Sequence, residues 1–163
     1  MRRLSLFAGL ALAVSMLLPG SALAAVGGSD LPVIGSHAGD CVDNLVTLQG
    51  HCVSTGTGSH FGVSTMEADV QLTGVATGSG YSGTWTLTVA NGDQMFGTVT
   101  GTSSTTDGVH FLNSGTWVSS GGTGRFDDAS ATFHDVSSLT IVSVEGVIAT
   151  FAFETTIVGR LSY

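Results

Sequence analysis

"GTWTLTVANGDQMFGTVTGT", Gly83 to Thr102, decides the fold. Trp85, Leu87 and Val89 alternate with Thr84, Thr86 and Thr88. A period of two gives a segment one buried face and one wet face, as in a strand. Asn91-Gly92-Asp93 comes next, and asparagine and glycine accept the positive φ of a tight hairpin. Met95 to Thr102 returns as the partner strand. The stretch therefore reads as an antiparallel hairpin.

The rest of the chain follows the same pattern. In "HFGVSTMEADVQLTGVA", His60 to Ala76, the residues Met66, Ala68, Val70 and Leu72 face one way, and Glu67, Asp69, Gln71 and Thr73 face the other. Further strands are expected at Val46–Ser54, Val109–Val118 and Ala129–Val136. A longer, more continuously apolar run spans Leu139–Phe153, and "TTIVGRLSY" closes the chain. Glycine-rich breaks separate these runs at the spacing of sandwiches and barrels. No segment carries a helical apolar stripe. The expected fold is all-β, with about eight strands.

Closure is the physical preference. An open sheet leaves unpaired edges, which lysine and proline usually blunt. This chain has no lysine and only 2 prolines. An eight-stranded antiparallel β-barrel removes the edges altogether, and a two-sheet sandwich is the alternative. Gly74, Gly97, Gly115, Gly146 and Gly159 suit strands that bend sharply in a small barrel.

The first residues, "MRRLSLFAGLALAVSMLLPGSALAA", read as a secretory signal peptide covering 1–24. Arg2 and Arg3 precede an apolar run, Pro19-Gly20 breaks it, and Ala22-Leu23-Ala24 supplies small residues for cleavage. The three small residues before the cut favour a bacterial exporter, with a secreted or periplasmic product. Residues 25–45 read as a flexible N-terminal lead and 46–163 as the barrel domain.

All 12 acidic residues lie beyond Ala24, so losing Arg2 and Arg3 takes the formal net charge from −8 to −10. Such a chain repels nucleic acid and anionic lipid, and neither is an expected partner after signal cleavage. Cys41 and Cys52 form an even pair in an exported chain, which reads as a disulfide. The other reading is a pair of thiols beside His51. No metal and no cofactor are expected. His37, His51, His60, His110 and His134 do not show the spacing of a known zinc motif.

"GGTGRFDDASATF", Gly121 to Phe133, has a site-like composition. As a phosphate loop it lacks the lysine and the following helix. As a calcium loop it lacks the alternating acidic spacing. A strand–turn–strand corner explains it best: glycines take positive φ, Phe126 tucks inward and Arg125 pairs with a carboxylate.

Three stretches together resemble bacterial secreted barrels of the allene oxide cyclase/dirigent-like superfamily. "ANGDQMFGTVTG" is similar to their "ANGD" hairpin, "GGTGRFDDASATF" resembles their "GGTGRF" corner, and "GRLSY" looks like their closing strand. The resemblance covers about Gly56 to Tyr163. It implies an eight-stranded barrel that holds apolar small molecules in its lumen, with some relatives guiding cyclisations. Asp127 and Asp128 replace small residues of the corner pattern, and no catalytic set of the cyclases matches this chain.

Functional expectations follow from the strands. Trp85, Phe111, Trp117, Phe151 and Phe153 are candidates to line a lumen for a small apolar molecule. Glu145 and Glu154 interrupt or end apolar runs, and Arg160 is the one cation borne on an expected strand. They are the candidate catalytic groups, since a buried carboxylate acquires a raised pKa and can move a proton. Three functions are compatible with these features: a carrier of a small apolar ligand, a cyclase or isomerase, or a structural module with a solid core that self-associates as a homo-oligomer.

Overall fold

The computed structural model describes residues 30–163. The signal segment 1–24 lies outside the described residues. Eight strands run in chain order: β1 (Leu31–Asn44), β2 (Gln49–Gly58), β3 (Gly62–Leu72), β4 (Ser79–Val89), β5 (Gln94–Thr105), β6 (His110–Gly122), β7 (Ser130–Glu145) and β8 (Ile148–Ser162). Each pairs antiparallel with its neighbours, and β8 returns to β1, from Leu31↔Leu161 to Asn44↔Ile148, closing the barrel. The expected fold class is the observed one.

Strand formation follows the alternation. In β4, Tyr81, Trp85, Leu87 and Val89 are buried, while Ser82 and Thr84 are exposed. β7 buries Ala131, Phe133, Asp135, Ser137 and Leu139 at strict intervals of two. Threonine and valine occupy many of the outward positions, where β-branched side chains suit a pleated surface.

Several boundaries differ from expectation. Most of the segment read as a flexible lead is β1, paired along its length with both β2 and β8. Its inward positions carry Val33, Gly35, His37, Gly39, Cys41 and Asp43, so the hydrophobic contrast that signals a strand is weak. Residues 45–48 form a turn, with Leu48 at φ 59°, and the next strand begins at Gln49. β7 continues past Val136 to Glu145. The apolar run Leu139–Phe153 is two strands joined by a hairpin at Gly146, φ 63°. Gly74 and Gly146 therefore lie in connections, whereas Gly97, Gly115 and Gly159 lie within strands.

The barrel has two unlike ends. The base carries the β2–β3 and β4–β5 hairpins and the β6–β7 corner, whose Gly124–Phe126 forms one short 3₁₀ turn. There Phe126 is fully buried, stacks on Tyr163 with centroids 6.0 Å apart, and meets Phe61 edge-on. Phe61 and Trp85 in turn contact Phe133. These rings plug the base. The mouth, at the other end, carries the β1–β2, β3–β4, β5–β6 and β7–β8 connections.

The corner and the "ANGD" hairpin are one unit. The backbone N–H of Arg125 donates to Asp93 Oδ2 at 3.2 Å, and Thr123 N–H donates to the Gln94 carbonyl at 2.7 Å. Gly124, at φ 58°, leaves no space for a side chain because the Asp93 carboxylate fills that position. The Arg125 guanidinium donates to the Phe61 carbonyl at 3.2 Å and lies 4.7 Å from the Phe126 ring centroid. It forms no ion pair with a described carboxylate, so the expected carboxylate pairing is replaced by a carbonyl and a ring face. Asp127 and Asp128 are exposed.

Candidate functional site

Above the plug the barrel is hollow. An inner cavity of about 70 Å³ is walled by Met66, Val70, Val99, Trp117, Phe153 and the disulfide, among others. A vestibule of about 240 Å³ lies at the mouth, against Leu45, Val75, Phe111, Ile141, Ala149 and Phe151. Asp43, Leu72, Asn113 and Leu139 line both spaces and form the neck between them.

The disulfide is real and inward. Cys41 and Cys52 are register partners on β1 and β2, their sulfurs are bonded, and Cys41 is buried. The thiol alternative falls, since no described cysteine is free.

The deep polar groups sit on one register row. Tyr81 on β4 faces Gly101 on β5, Gly101 faces Gly115 on β6, and Gly115 faces Asp135 on β7. The two glycines are what makes the row fit. A Cβ at Gly101 would collide with the Tyr81 ring, and one at Gly115 would meet both the Tyr81 hydroxyl and the Asp135 carboxylate. Asp135 is well partnered: Trp117 Nε1–H donates to Oδ1 at 2.8 Å, and the Ser137 hydroxyl donates to Oδ2 at 2.5 Å. Thr155 Oγ1 lies 2.8 Å from Ser137 Oγ. Burial, and then the Asp135 charge, push the Tyr81 phenol well above its ordinary pKa, so it stays protonated as a hydroxyl.

The neck is different, because its polar groups lack protein partners. Asp43 is 8% exposed, and its side chain takes no hydrogen bond from a described residue. It sits over Gly50, its register partner on β2, where any Cβ would displace its carboxylate, and against Val70. Burial alone pushes its pKa up to about 6. Asn113 Oδ1 is buried and likewise accepts no hydrogen bond. A buried acceptor without a donor is costly, and such groups point to a missing donor.

The residues expected to carry function divide cleanly. Trp85, Trp117, Phe151 and Phe153 are buried inside the barrel, and Phe111 is half-buried there. Trp85 and Trp117 meet edge-on at 5.9 Å, and Phe111 and Phe151 at 5.7 Å. Of these, Trp117 and Phe153 wall the inner cavity, Phe111 and Phe151 wall the vestibule, and Trp85 packs below them. The candidate catalytic groups are elsewhere. Glu145 is exposed at the β7–β8 hairpin, and Glu154 is on the outer face of β8. Arg160 is exposed and pairs outside with Asp30 at 3.0 Å. None of the three reaches the lumen, because each is out of phase with the inward residues of its strand or beyond them.

Sequence reasoning missed Asp43, Tyr81, Asn113 and Asp135. A signal for them existed in phase alone. Tyr81 is in step with Trp85, Asn113 with Trp117, Asp135 with Phe133, and Asp43 with Cys41. A polar residue in the inward phase of a barrel strand must face the lumen. Among the described residues, no group of three or more His, Cys, Asp or Glu side chains is placed to hold a metal ion. No family model, curated protein or solved structure matches the chain.

Proposed function

We propose that this chain is a secreted small barrel that binds a small, largely apolar molecule in its lumen through the open mouth. One observation carries the reading: an apolar vestibule and inner cavity meet at a neck where Asp43 and Asn113 offer unpartnered acceptors. Apolar walls with a few convergent polar groups are the usual composition of a ligand site. The disulfide fits an oxidising compartment, and the signal-like first 24 residues supply the export reading. The resemblance to allene oxide cyclase/dirigent-like barrels points to the same use of the lumen.

The reading as a fully solid module is disfavoured by the hollow upper half, since aromatic rings fill only the base. The cyclase or isomerase reading moves from the outer Glu and Arg residues to Asp43. A carboxyl whose pKa is about 6 can donate or accept a proton near neutral pH.

The test is native mass spectrometry of protein purified from its host. A bound organic mass is expected in wild-type protein. It should be lost in the double variant Ala68→Phe/Ala149→Phe, which fills the inner cavity from β3 and the vestibule from β8. An adduct retained at full occupancy in that variant would place the ligand elsewhere and remove the lumen reading.

A further inference from the structure

We propose that the lumen takes a small organic amine in its protonated form, with the ammonium at the neck between Asp43 and Asn113 and an apolar body in the vestibule. This rests on the lumen being a ligand site, and adds the chemical class of the ligand.

The first ground is the sign of the unmet hydrogen bonding. At the neck the ionised Asp43 carboxylate can only accept, and Asn113 Oδ1 accepts from no described residue, while Asn113 Nδ2 is the one donor there. A ligand that completes the neck must bring donors. An ammonium brings three donors, an alcohol brings one, and a carboxylate brings none.

The second ground is charge. Asp43 and Asp135 both line the inner cavity, while no lysine, arginine or histidine lines either the cavity or the vestibule. Asp135 has its own donors in Trp117 and Ser137. Asp43 has none. An ionised carboxylate in an apolar wall is strongly unfavourable unless a cation or donors approach it. Of the described residues none supplies that cation, and a cationic ligand would. An anionic ligand would instead meet two carboxylates.

The third ground is the wall around the body. Phe111 and Phe151 meet edge-on in the vestibule, beside Leu45, Leu72 and Ile141. Aromatic rings favour an apolar ring as a neighbour and attract a cation at their faces. The small inner cavity admits a head group, and the larger vestibule admits a body the size of a ring.

The pairing is pH-dependent through Asp43. Its carboxylate packs against Gly50 of β2, and Cys52 from β2, Val70 from β3, Tyr81 from β4, Asn113 from β6, Asp135 from β7 and Ala149 from β8 line the inner cavity or the vestibule that it borders. Of these, Tyr81 and Asp135 are the other side chains with an ionisable group. Tyr81 stays protonated, and Asp135 adds negative charge. Protonating Asp43 below its pKa of about 6 removes the charge that holds the amine.

Three shape-matched probes test this: 2-phenylethylamine, 2-phenylethanol and 3-phenylpropanoate, followed by calorimetry and by fluorescence of Trp85 and Trp117. At about pH 7.5 the amine should bind at least ~10-fold more tightly than the alcohol, and the acid should not bind. In Asp43→Asn the amine should lose its advantage over the alcohol. If that variant does not fold, lowering wild-type protein from about pH 7.5 to about pH 5 should remove the amine preference in the same way. Equal binding of amine and alcohol by wild-type protein would overturn the amine inference and leave the lumen reading standing. No binding of any of the three probes would overturn both.

Discussion

A carboxyl that is 8% exposed and unpaired weakens the fold whenever it is ionised, and Asp43 is in that position. Its pKa is about 6 in the folded chain against an ordinary 3.8. The folded state therefore holds the Asp43 proton more tightly. The stability linked to it is complete below about pH 3.8 and is lost as pH rises through about 6. Asp43→Asn should stabilise the ligand-free protein at pH 7 by at most about 3 kcal/mol, and by nothing near pH 3. Urea denaturation at the two pH values measures this. His37 gives the opposite slope. It is buried between Ser54 and Ser64, and burial lowers its pKa, so its stability contribution is present above the ordinary 6.5 and is lost as pH falls through the folded value. Gly115 shows how close the packing is. Gly115→Ala should cost roughly 1–3 kcal/mol by pressing a methyl against Tyr81 and Asp135. Adding Tyr81→Phe, which removes the hydroxyl, should recover part of that loss in a double-mutant cycle.

At the scale of elements, the "GGTGRF" corner and the "ANGD" hairpin depend on each other. Hydrogen bonds from Asn91 and from the backbone N–H of Arg125 hold the Asp93 carboxyl below its usual pKa. Phe126 is the part of the corner that matters most for stability, because it is fully buried in the base plug. Phe126→Ala should cost about 3–5 kcal/mol in chemical denaturation. β1 is the closing element, since it bonds to β2 on one side and β8 on the other. A chain beginning at residue 46 would leave two long open edges, and it should fail to fold as a monomer by circular dichroism and sedimentation. The Cys41–Cys52 bridge staples β1 to β2 across a sequence separation of 11. Replacing both cysteines by alanine should lower stability by about 2–3 kcal/mol in urea denaturation.

At the scale of the molecule, the barrel is solid at its base and hollow toward its mouth. The eight-strand barrel and its aromatic interior were legible in alternation and turn residues. Trp85, Phe111, Trp117, Phe151 and Phe153 all face inward, because large rings in the inward phase have nowhere else to go, though Trp85 packs below the cavities and not along them. The polar site was not read. Asp43 stood in a segment whose inward positions are glycine, histidine and cysteine, so its strand was hidden. Glu145 and Glu154 drew attention because they break apolar runs, but a run split by a hairpin places its charge at the turn.

Period-two patterning and turn chemistry act between near neighbours, so they determine strands, hairpins and the preference for closure directly from the order of residues. An acidic, lysine-free composition is legible in the same direct way. Which polar groups meet is a different kind of fact. Asp43 and Asn113 are 70 residues apart and on β1 and β6, and only closing the sheet into a tube of fixed register brings them to one neck. The register row that places Tyr81 and Asp135 over two glycines has the same origin. Contacts across a lumen depend on the stagger of every strand pair, and no local pattern encodes that sum.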